Sequence, residues 1–453
     1  MRVEASATVE NAAAVARDVP FRETMRVWLK IGVINFGGPA GQIALMHRVV
    51  VDEKRWIDEG RFLHALNYCM ILPGPEATQL AAYVGWLMHG VRGGVVAGTL
   101  FVLPGFFVLL GLSIAYVTLG DLPLVEGLLF GLKAAVLAIV AEALLRISRR
   151  ALKGAASLVI AVAAFVAIAF LGVPFPLIVA SAAAAGLLLA RNGHVASADA
   201  RESADAGSNV GGARGNPWVE SATAAIVWLA IWFLPVALVA ALLGGGHVFT
   251  QEALFFSKVA VVTFGGAYAV LAYVAQQAVE FYQWLQPDEM LTGLGLAETT
   301  PGPLILVLVF VGFLAGYRDA GGLDSLVAGT IGATITLWVT FVPSFLFIFA
   351  GAPFVERLRE NRFIAGALAA VTAAVVGVIA NLALWFGLHV LFAEVGEVAL
   401  GPLAVPVPEL ASIDPAAAII ALAAAIALLR FHVGVVPVLG VAAFGGAALR
   451  FAV

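Results

Sequence analysis

Two short elements occur twice in this chain, and each frees backbone polar groups inside apolar sequence. The first is Phe36-Gly37-Gly38, repeated as Phe264-Gly265-Gly266; the second is Pro73-Gly74-Pro75, repeated as Pro301-Gly302-Pro303. In Phe36-Gly37-Gly38-Pro39, two residues lack Cβ and the third breaker cannot continue a helix, so the chain must open there. In Pro73-Gly74-Pro75, the second proline suits the first turn of a new helix that carries Glu76 and Gln79. The free N–H groups and the positive end of the dipole at such a start favour an anion. The second copy offers the same start at Pro303, preceded by Glu298, Thr299 and Thr300. Gln79, Thr299 and Thr300 are neutral donors suited to oxyanion oxygens, and Asn35 and Thr263 occupy matching places just before each FGG element. Glycines also serve close helix packing in membranes, but breaks paired with proline and duplicated weigh against that reading here.

Charged candidates are few. Lys30 and Lys258 sit six residues before each FGG, where they either snorkel to an interface or line a substrate path. Glu76 and Glu298 are either first-turn carboxylates that complement a helix start or proton carriers raised by burial. Glu142, on one predicted span with Lys133, is a candidate for proton coupling. Arg48 reads as an orientation signal and not as a ligand.

The elements that hold these residues are read from composition. The 453-residue chain is 62% hydrophobic and 12% charged, against roughly 25% charged in soluble domains. Thirteen apolar runs stand out, of which those such as Val95–Leu119 and Phe363–Phe386 are long enough to cross a bilayer of roughly 30 Å. They lie near 31–46, 62–89, 94–119, 124–145, 154–171 and 174–190, then near 218–243, 254–274, 290–316, 325–350, 363–392, 416–429 and 433–450. The expected fold is therefore all-α and polytopic. Residues 1–20 are polar, without the apolar region of a cleavable signal, and read as a cytoplasmic tail. Residues 21–190 form a first transporter repeat. The polar stretch 191–217 reads as a flexible cytoplasmic linker, and 218–453 as a second repeat. The common spacing of 228 residues, from Lys30 to Lys258 and from Trp56 to Trp284, marks the duplication.

Basic loops orient the segments. Arg17, Arg22 and Arg26 precede the first segment, and Arg48, Lys54, Arg55 and Arg61 follow it. Arg146, Arg149, Arg150 and Lys153 mark a further inside loop, as do Arg357, Arg359 and Arg362. The matching second-half loop, 275–290, has no Lys or Arg and looks external, as do the acidic stretches near 121–126 and 394–414. One arrangement satisfies these marks: the FGG and PGP segments enter and leave on one side, and nine others cross. Five crossings then separate the FGG elements, giving an inverted-topology repeat with broken, re-entrant helices. Thirteen full crossings keep the inversion but put the basic loop outside. The chain is placed in the inner membrane with its N-terminus cytoplasmic and its C-terminus periplasmic.

Several chemistries are excluded. A net charge of −4 predicts no nucleic-acid partner, and one cysteine, Cys69, gives no disulfide framework. There is no Walker A loop and no G-x-S-x-G elbow. The seven histidines show no i, i+4 pair, which leaves no cofactor and no metal expected. An intramembrane enzyme and a passive anion channel are weaker readings than a secondary transporter.

The chain resembles the chromate ion transporter family in its long, two-domain form. The likeness lies in F-G-G-P-A-G-Q at Phe36–Gln42, E-K-R-W at Glu53–Trp56, L-N-Y-C-M-I-L-P-G-P-E-A-T-Q-L at Leu66–Leu80 and L-T-G-L-G-L-A-E-T-T-P-G-P-L at Leu291–Leu304. The resemblance implies export of chromate driven by the membrane potential or a proton gradient, with sulfate as a competing oxyanion. It implies a substrate-path role for Phe36–Pro39, Pro73–Glu76, Gln79, Phe264–Gly266 and Pro301–Pro303. Pro39 and Glu76 are replaced by Ala267 and Leu304 in the second half, so one asymmetric site is expected rather than two. Chromate or sulfate and the lipid bilayer are the expected partners, with homo-oligomerisation left open.

Overall fold

The structure is a computed structural model that describes residues 19–191, 217–264, 266–351, 362–401 and 403–452. The polar stretch expected as a linker, most of the N-terminal tail, and Gly265 lie outside the described residues. The first half comprises α1 (Phe21–Val33), α2 (Gly38–His47), α3 (Glu59–Cys69), α4 (Glu76–Leu119), α5 (Pro123–Ala151), α6 (Ala155–Ala169) and α7 (Phe175–Arg191). Then come α8 (Pro217–Leu243), α9 (Val248–Val262), α10 (Ala267–Gln276), α11 (Pro287–Thr299), α12 (Val307–Arg318), α13 (Ser325–Gly351) and α14 (Arg362–Leu391). The chain ends in α15 (Pro415–Leu429) and α16 (Val435–Ala452).

The helix ends follow from local chemistry. Asp58 accepts a hydrogen bond from the Arg61 amide at the start of α3, and Asp414 accepts from Ala416 and Ala417 at the start of α15. Both satisfy amides that a helix start leaves free. Five helices among the described residues are long and apolar enough to cross a membrane: Glu76–Leu119, Pro123–Ala151, Trp218–Leu243, Ser325–Gly351 and Phe363–Leu391. With the shorter apolar helices around them, they make a multi-pass membrane protein.

One departure from an all-helical chain is an antiparallel hairpin. Strand β1 (Val395–Leu400) pairs with β2 (Leu403–Pro408), with Val398 opposite Val405. Pro406 and Pro408 deny this acidic stretch a helix, while its alternating valines favour extended backbone.

The duplication extends to backbone detail. A π turn follows α2 at Arg48–Glu53, and another follows α10 at Gln277–Phe281. Arg55 and Gln283, 228 residues apart, both take positive φ, at 52° and 55°. Trp56 donates its amide to Val50, and Trp284 donates to Ala278.

Helix α4 is two arms and not one rod. His89 and Gly90 leave helical geometry, Gly90 with φ of 62°, and the chain folds back on itself. Gly85 and Gly93 meet backbone to backbone, and a Cβ on Gly94 would stand 2.8 Å from the Ala82 carbonyl. The missing side chains permit this approach. Arm 76–88 is about 20 Å long at 1.5 Å per residue, shorter than a span, whereas arm 91–119 is long enough to cross. In the second half α12 and α13 form the matching hairpin, with Gly312 against Gly332 and a longer turn at 319–324.

These matching hairpins pack on each other. Gly94 of arm 91–119 faces Phe349 of α13, and Gly98 faces Phe345. Residue numbers rise along one helix as they fall along the other, so equivalent helices run antiparallel. The two ends of arm 91–119 agree with this. Thr24 Oγ1 lies 3.0 Å from His89 Nε2 at the kink end. At the other end, Tyr116 donates to Glu289 at 3.0 Å, and Glu289 also accepts from Arg318, the last residue of α12, at 2.6 Å.

Candidate substrate site

The four breaks are interlocked across the halves. The Gly74 amide donates to the carbonyl of Thr263 at 2.8 Å, and the Gly302 amide donates to the carbonyl of Asn35 at 2.7 Å. Gly74 and Gly302 are equivalent positions, as are Asn35 and Thr263. Each PGP turn therefore bonds to the FGG element of the other half. Such reciprocity is what a two-fold relation produces.

Glutamine side chains brace the turns as well, one from within its own half and one from the other. Gly74 and Gly302 take φ of 112° and 108°, a region that glycine alone enters cheaply. Gln79 donates Nε2 to the Pro73 carbonyl at 2.6 Å, and Gln42 donates Nε2 to the Gly302 carbonyl at 2.5 Å. Pro75 caps α4, which begins at Glu76. The second copy differs: after Pro303 the chain makes a 3-10 turn, Leu304–Leu306, and only then enters α12. At the other breaks, Gly37 and Gly38 take φ of 93° and 67°. Pro39 sits in the first turn of α2, and Gly266 caps α10. Phe36 is exposed on the protein and Phe264 half-buried.

Two residues not foreseen complete the centre. A Cβ on Gly105 would collide with the Pro301 carbonyl, and a Cβ on Gly74 would lie 3.7 Å from Ser344 Oγ. Gly105 follows Pro104 in α4, and Ser344 follows Pro343 in α13. Each half thus brings a Pro-small pair inside a long apolar helix against the PGP turn of the other. That pair, recurring inside two predicted spans, was the available signal. Gln42 was visible in F-G-G-P-A-G-Q, but nothing local said that it would reach Gly302.

Around these turns, buried polar atoms lack partners within the protein. Both amide atoms of Asn35 are unbonded, as are Gln42 Oε1, Gln79 Oε1, Thr78 Oγ1 and Ser344 Oγ. Leaving such a group unmet costs about 1–3 kcal/mol. Of these atoms Asn35 Nδ2 and the Thr78 and Ser344 hydroxyls can donate to an oxyanion, whereas Gln42 Oε1 and Gln79 Oε1 only accept, the Nε2 donors of both being spent on Gly302 and Pro73. Thr299 and Thr300 are placed otherwise than expected of oxyanion donors. They give their hydroxyl hydrogens to Leu296 and Ala297, and Thr263 gives its own to Val259. Thr263 joins the centre through its carbonyl instead.

Apart from Glu76, the charged candidates lie off the breaks. Lys30 and Lys258 are exposed, and Lys258 Nζ is 5.8 Å from the Tyr273 ring, as snorkelling side chains would be. Arg48 pairs with Glu53 at 3.8 Å, and Lys133 with Asp288 at 2.9 Å. Glu76 is half-buried at the start of α4, within electrostatic range of Cys69. Glu298 is buried and accepts from the Tyr268 hydroxyl at 2.5 Å. Glu142 pairs with Arg146 at 3.6 Å, and both act electrostatically on Glu298. The fold therefore gathers Glu142 and Glu298 into one group with Tyr268 and Arg146.

The sequence profile of the chromate transporter family matches residues 22–187 and 250–448, both halves but not α8. The chain belongs to the chromate transporter family. It is 33% identical over 379 residues to the chromate transport protein of Pseudomonas aeruginosa, covering 82% of each chain. It is 27% identical over 373 residues to the chromate transport protein of Cupriavidus metallidurans, covering 82% of this chain and 84% of that one. No solved structure matches it. As a member of the chromate transporter family the protein is a transporter and not an enzyme. The family's profile covers every break described above.

Proposed function

We propose that this protein exports chromate from the cytoplasm across the inner membrane as a secondary active transporter, and that the interlocked breaks hold the oxyanion. The reciprocal bonds Gly74–Thr263 and Gly302–Asn35 carry this reading. They join two broken stretches of backbone, one from each half, at a place where Asn35, Thr78 and Ser344 keep unbonded donor groups. Helix starts at Gly38, Glu76 and Ala267 belong to the same breaks and favour negative charge. Gly105 is equidistant from the ends of arm 91–119, so a crossing arm sets the site near mid-depth, where transporters of broken helices bind their ions.

Inversion supplies the two facing states. The antiparallel course of arm 91–119 and α13 supports it, since inverted repeats set equivalent helices in opposite directions. The family profile does not cover helix α8, and one extra crossing between repeats reverses the second. The second repeat, 218–453, then opens with a connecting span. The ion pair of Arg450 with Glu126, at 2.8 Å, fits a C-terminus on the periplasmic side with the 121–126 loop.

Energetics favour the outward direction. A dianion leaving a cell that is negative inside gains about 2.3 kcal/mol per charge per 100 mV. Two charges give roughly 4.6 kcal/mol, a concentration ratio of order a thousand. Sulfate, a tetrahedral dianion like chromate, competes for the same donors. Chromate uptake into inside-out vesicles tests the reading: saturable uptake, dependent on an imposed potential or pH gradient and inhibited by sulfate, is expected. Uptake indifferent to potential, pH and sulfate would defeat it.

A further inference from the structure

Glu252 is a buried carboxylate that the substrate site does not use. It sits near the start of α9, wholly buried, and neither of its oxygens has a hydrogen-bond partner in the protein. An ionisable group left bare at membrane depth is costly and marks function by default. Gly332 of α13 makes room for it: a Cβ there would stand 3.0 Å from both carboxylate oxygens.

From Gly332, α13 presents Thr336, Thr340 and Ser344 at intervals of four residues, which places them on one helix face. All three are buried, and none of their hydroxyls has a partner. Other hydroxyls of the same helix behave differently: Thr330 donates to Leu326 and Thr334 to Thr330, both at 2.8 Å. The helix thus carries one set of hydroxyls bonded to its own backbone and another set open along a buried file. That file spans about 18 Å and ends at Ser344, beside Gly74 and Gln79.

The first half lacks all of this. The equivalent glycine contacts, Gly85 with Gly93 and Gly312 with Gly332, fix the correspondence. Gly93, Ala97, Phe101 and Gly105 stand where α13 has Gly332, Thr336, Thr340 and Ser344. Thr24, hydrogen-bonded to His89, stands in place of Glu252.

We infer that Glu252 and the hydroxyls of Thr336, Thr340 and Ser344 form a proton pathway from the turn at 319–324 to the substrate site, with Glu252 as the carboxyl that loads and releases the coupling proton. This rests on the transport reading above. Asp319, in that turn, acts electrostatically on Glu252, and His247 packs over Gly321 of the same turn. The neighbouring elements bring no cation to it among the described residues. On α13 it meets Gly332, and Arg318 at the end of α12 is bound to Glu289 and the Trp284 carbonyl. Tyr273 of α10 stacks on Phe175. Glu220 of α8 lies at the far end of that helix, next to Ser221, which donates to Ala350. Each hydroxyl accepts one proton and passes on its own, so one proton moves and no hydroxyl stays charged. Successive hydroxyls are about 6 Å apart along the helix, a step that one water bridges.

The full-length protein in inside-out vesicles tests this with two chromate assays. Counterflow at equal pH needs the substrate site alone, whereas uptake driven by an acidic lumen needs the proton as well. Glu252→Gln is expected to keep counterflow within about twofold and to lose at least tenfold of the pH-driven uptake. Thr340→Val, of nearly the same shape, is expected to lose about threefold or more of the pH-driven uptake with counterflow intact, and decides the matter should Glu252→Gln fail to insert. Wild-type pH-driven uptake in both variants overturns the pathway, as does equal loss of counterflow and pH-driven uptake. Counterflow in the parent protein without any response to pH also overturns it while leaving the transport reading standing. Absence of both activities in the parent protein removes the transport reading itself.

Discussion

Where the first half sets Gly105 against its partner's PGP turn, the second half sets Ser344. Gly105 lets two backbones touch, since any side chain there would strike the Pro301 carbonyl. Ser344 stands off from Gly74 and keeps an unbonded hydroxyl. The same contrast runs through the centre. Asn35 has two free amide atoms, whereas Thr263 spends its hydroxyl on Val259. Gln42 reaches across to Gly302, whereas the equivalent Val270 has no donor to offer Gly74, and the first turn is braced at the Pro73 carbonyl by Gln79 from its own half. Duplication has preserved backbone paths and let the polar lining diverge, which favours the proposed single site between the halves over one site in each.

The largest effect is expected from making the two contacts alike in the wrong direction. Gly105→Val places atoms on the Pro301 carbonyl, an overpacking that costs about 1–3 kcal/mol, and transport should fall below detection. Ser344→Gly, the reverse exchange, should leave detergent-solubilised protein as thermostable as the parent within about 1 kcal/mol. Equal tolerance of both would erase the distinction drawn here. Next comes Gln42→Leu, which strips the Gly302 carbonyl of its donor at a cost of about 1–3 kcal/mol; a chromate KM raised roughly tenfold is expected, and an unchanged KM would detach Gln42 from the site. Tyr268→Phe removes the donor to Glu298 and is worth about 1–2 kcal/mol, to be read as a lowered unfolding midpoint with chromate KM nearly constant. The smallest effect belongs to Lys30→Gln with Lys258→Gln, exposed side chains whose joint loss should change transport less than about twofold. A tenfold loss would return the lysines to the substrate path.

The breaks themselves were legible because glycine and proline dictate backbone behaviour wherever they fall. The helix starts at Gly38 and Glu76, the 228-residue repeat and the membrane spans all follow from local residue type. What bonds to what was not legible. Gly74 to Thr263 and Gly302 to Asn35 are contacts between distant segments, and no local pattern encodes them. The turn at Gly90 was legible as the gap between the apolar runs 62–89 and 94–119, but the Gly85–Gly93 contact that closes it was not. Thr299 and Thr300 show the opposite case: their type suits a ligand, but the adjacent carbonyls at Leu296 and Ala297 claim them first. Glu252 escaped notice because it sits near the start of an apolar segment, where an acid reads as an interface residue until its burial is known.

The exchange of partners between halves has a consequence for biogenesis. Thr263 is polymerised 189 residues after Gly74, and Gly302 follows Asn35 by 267. At about 5–20 residues per second, Gly74 waits roughly 10–40 s for its acceptor. During that interval a nascent chain already delivered to the bilayer carries the unmet Gly74 amide at its first PGP turn. An insertase or a chaperone that shields that turn until translation reaches the second FGG element would shorten the exposure, and ribosome pausing between codons 75 and 263 would lengthen it.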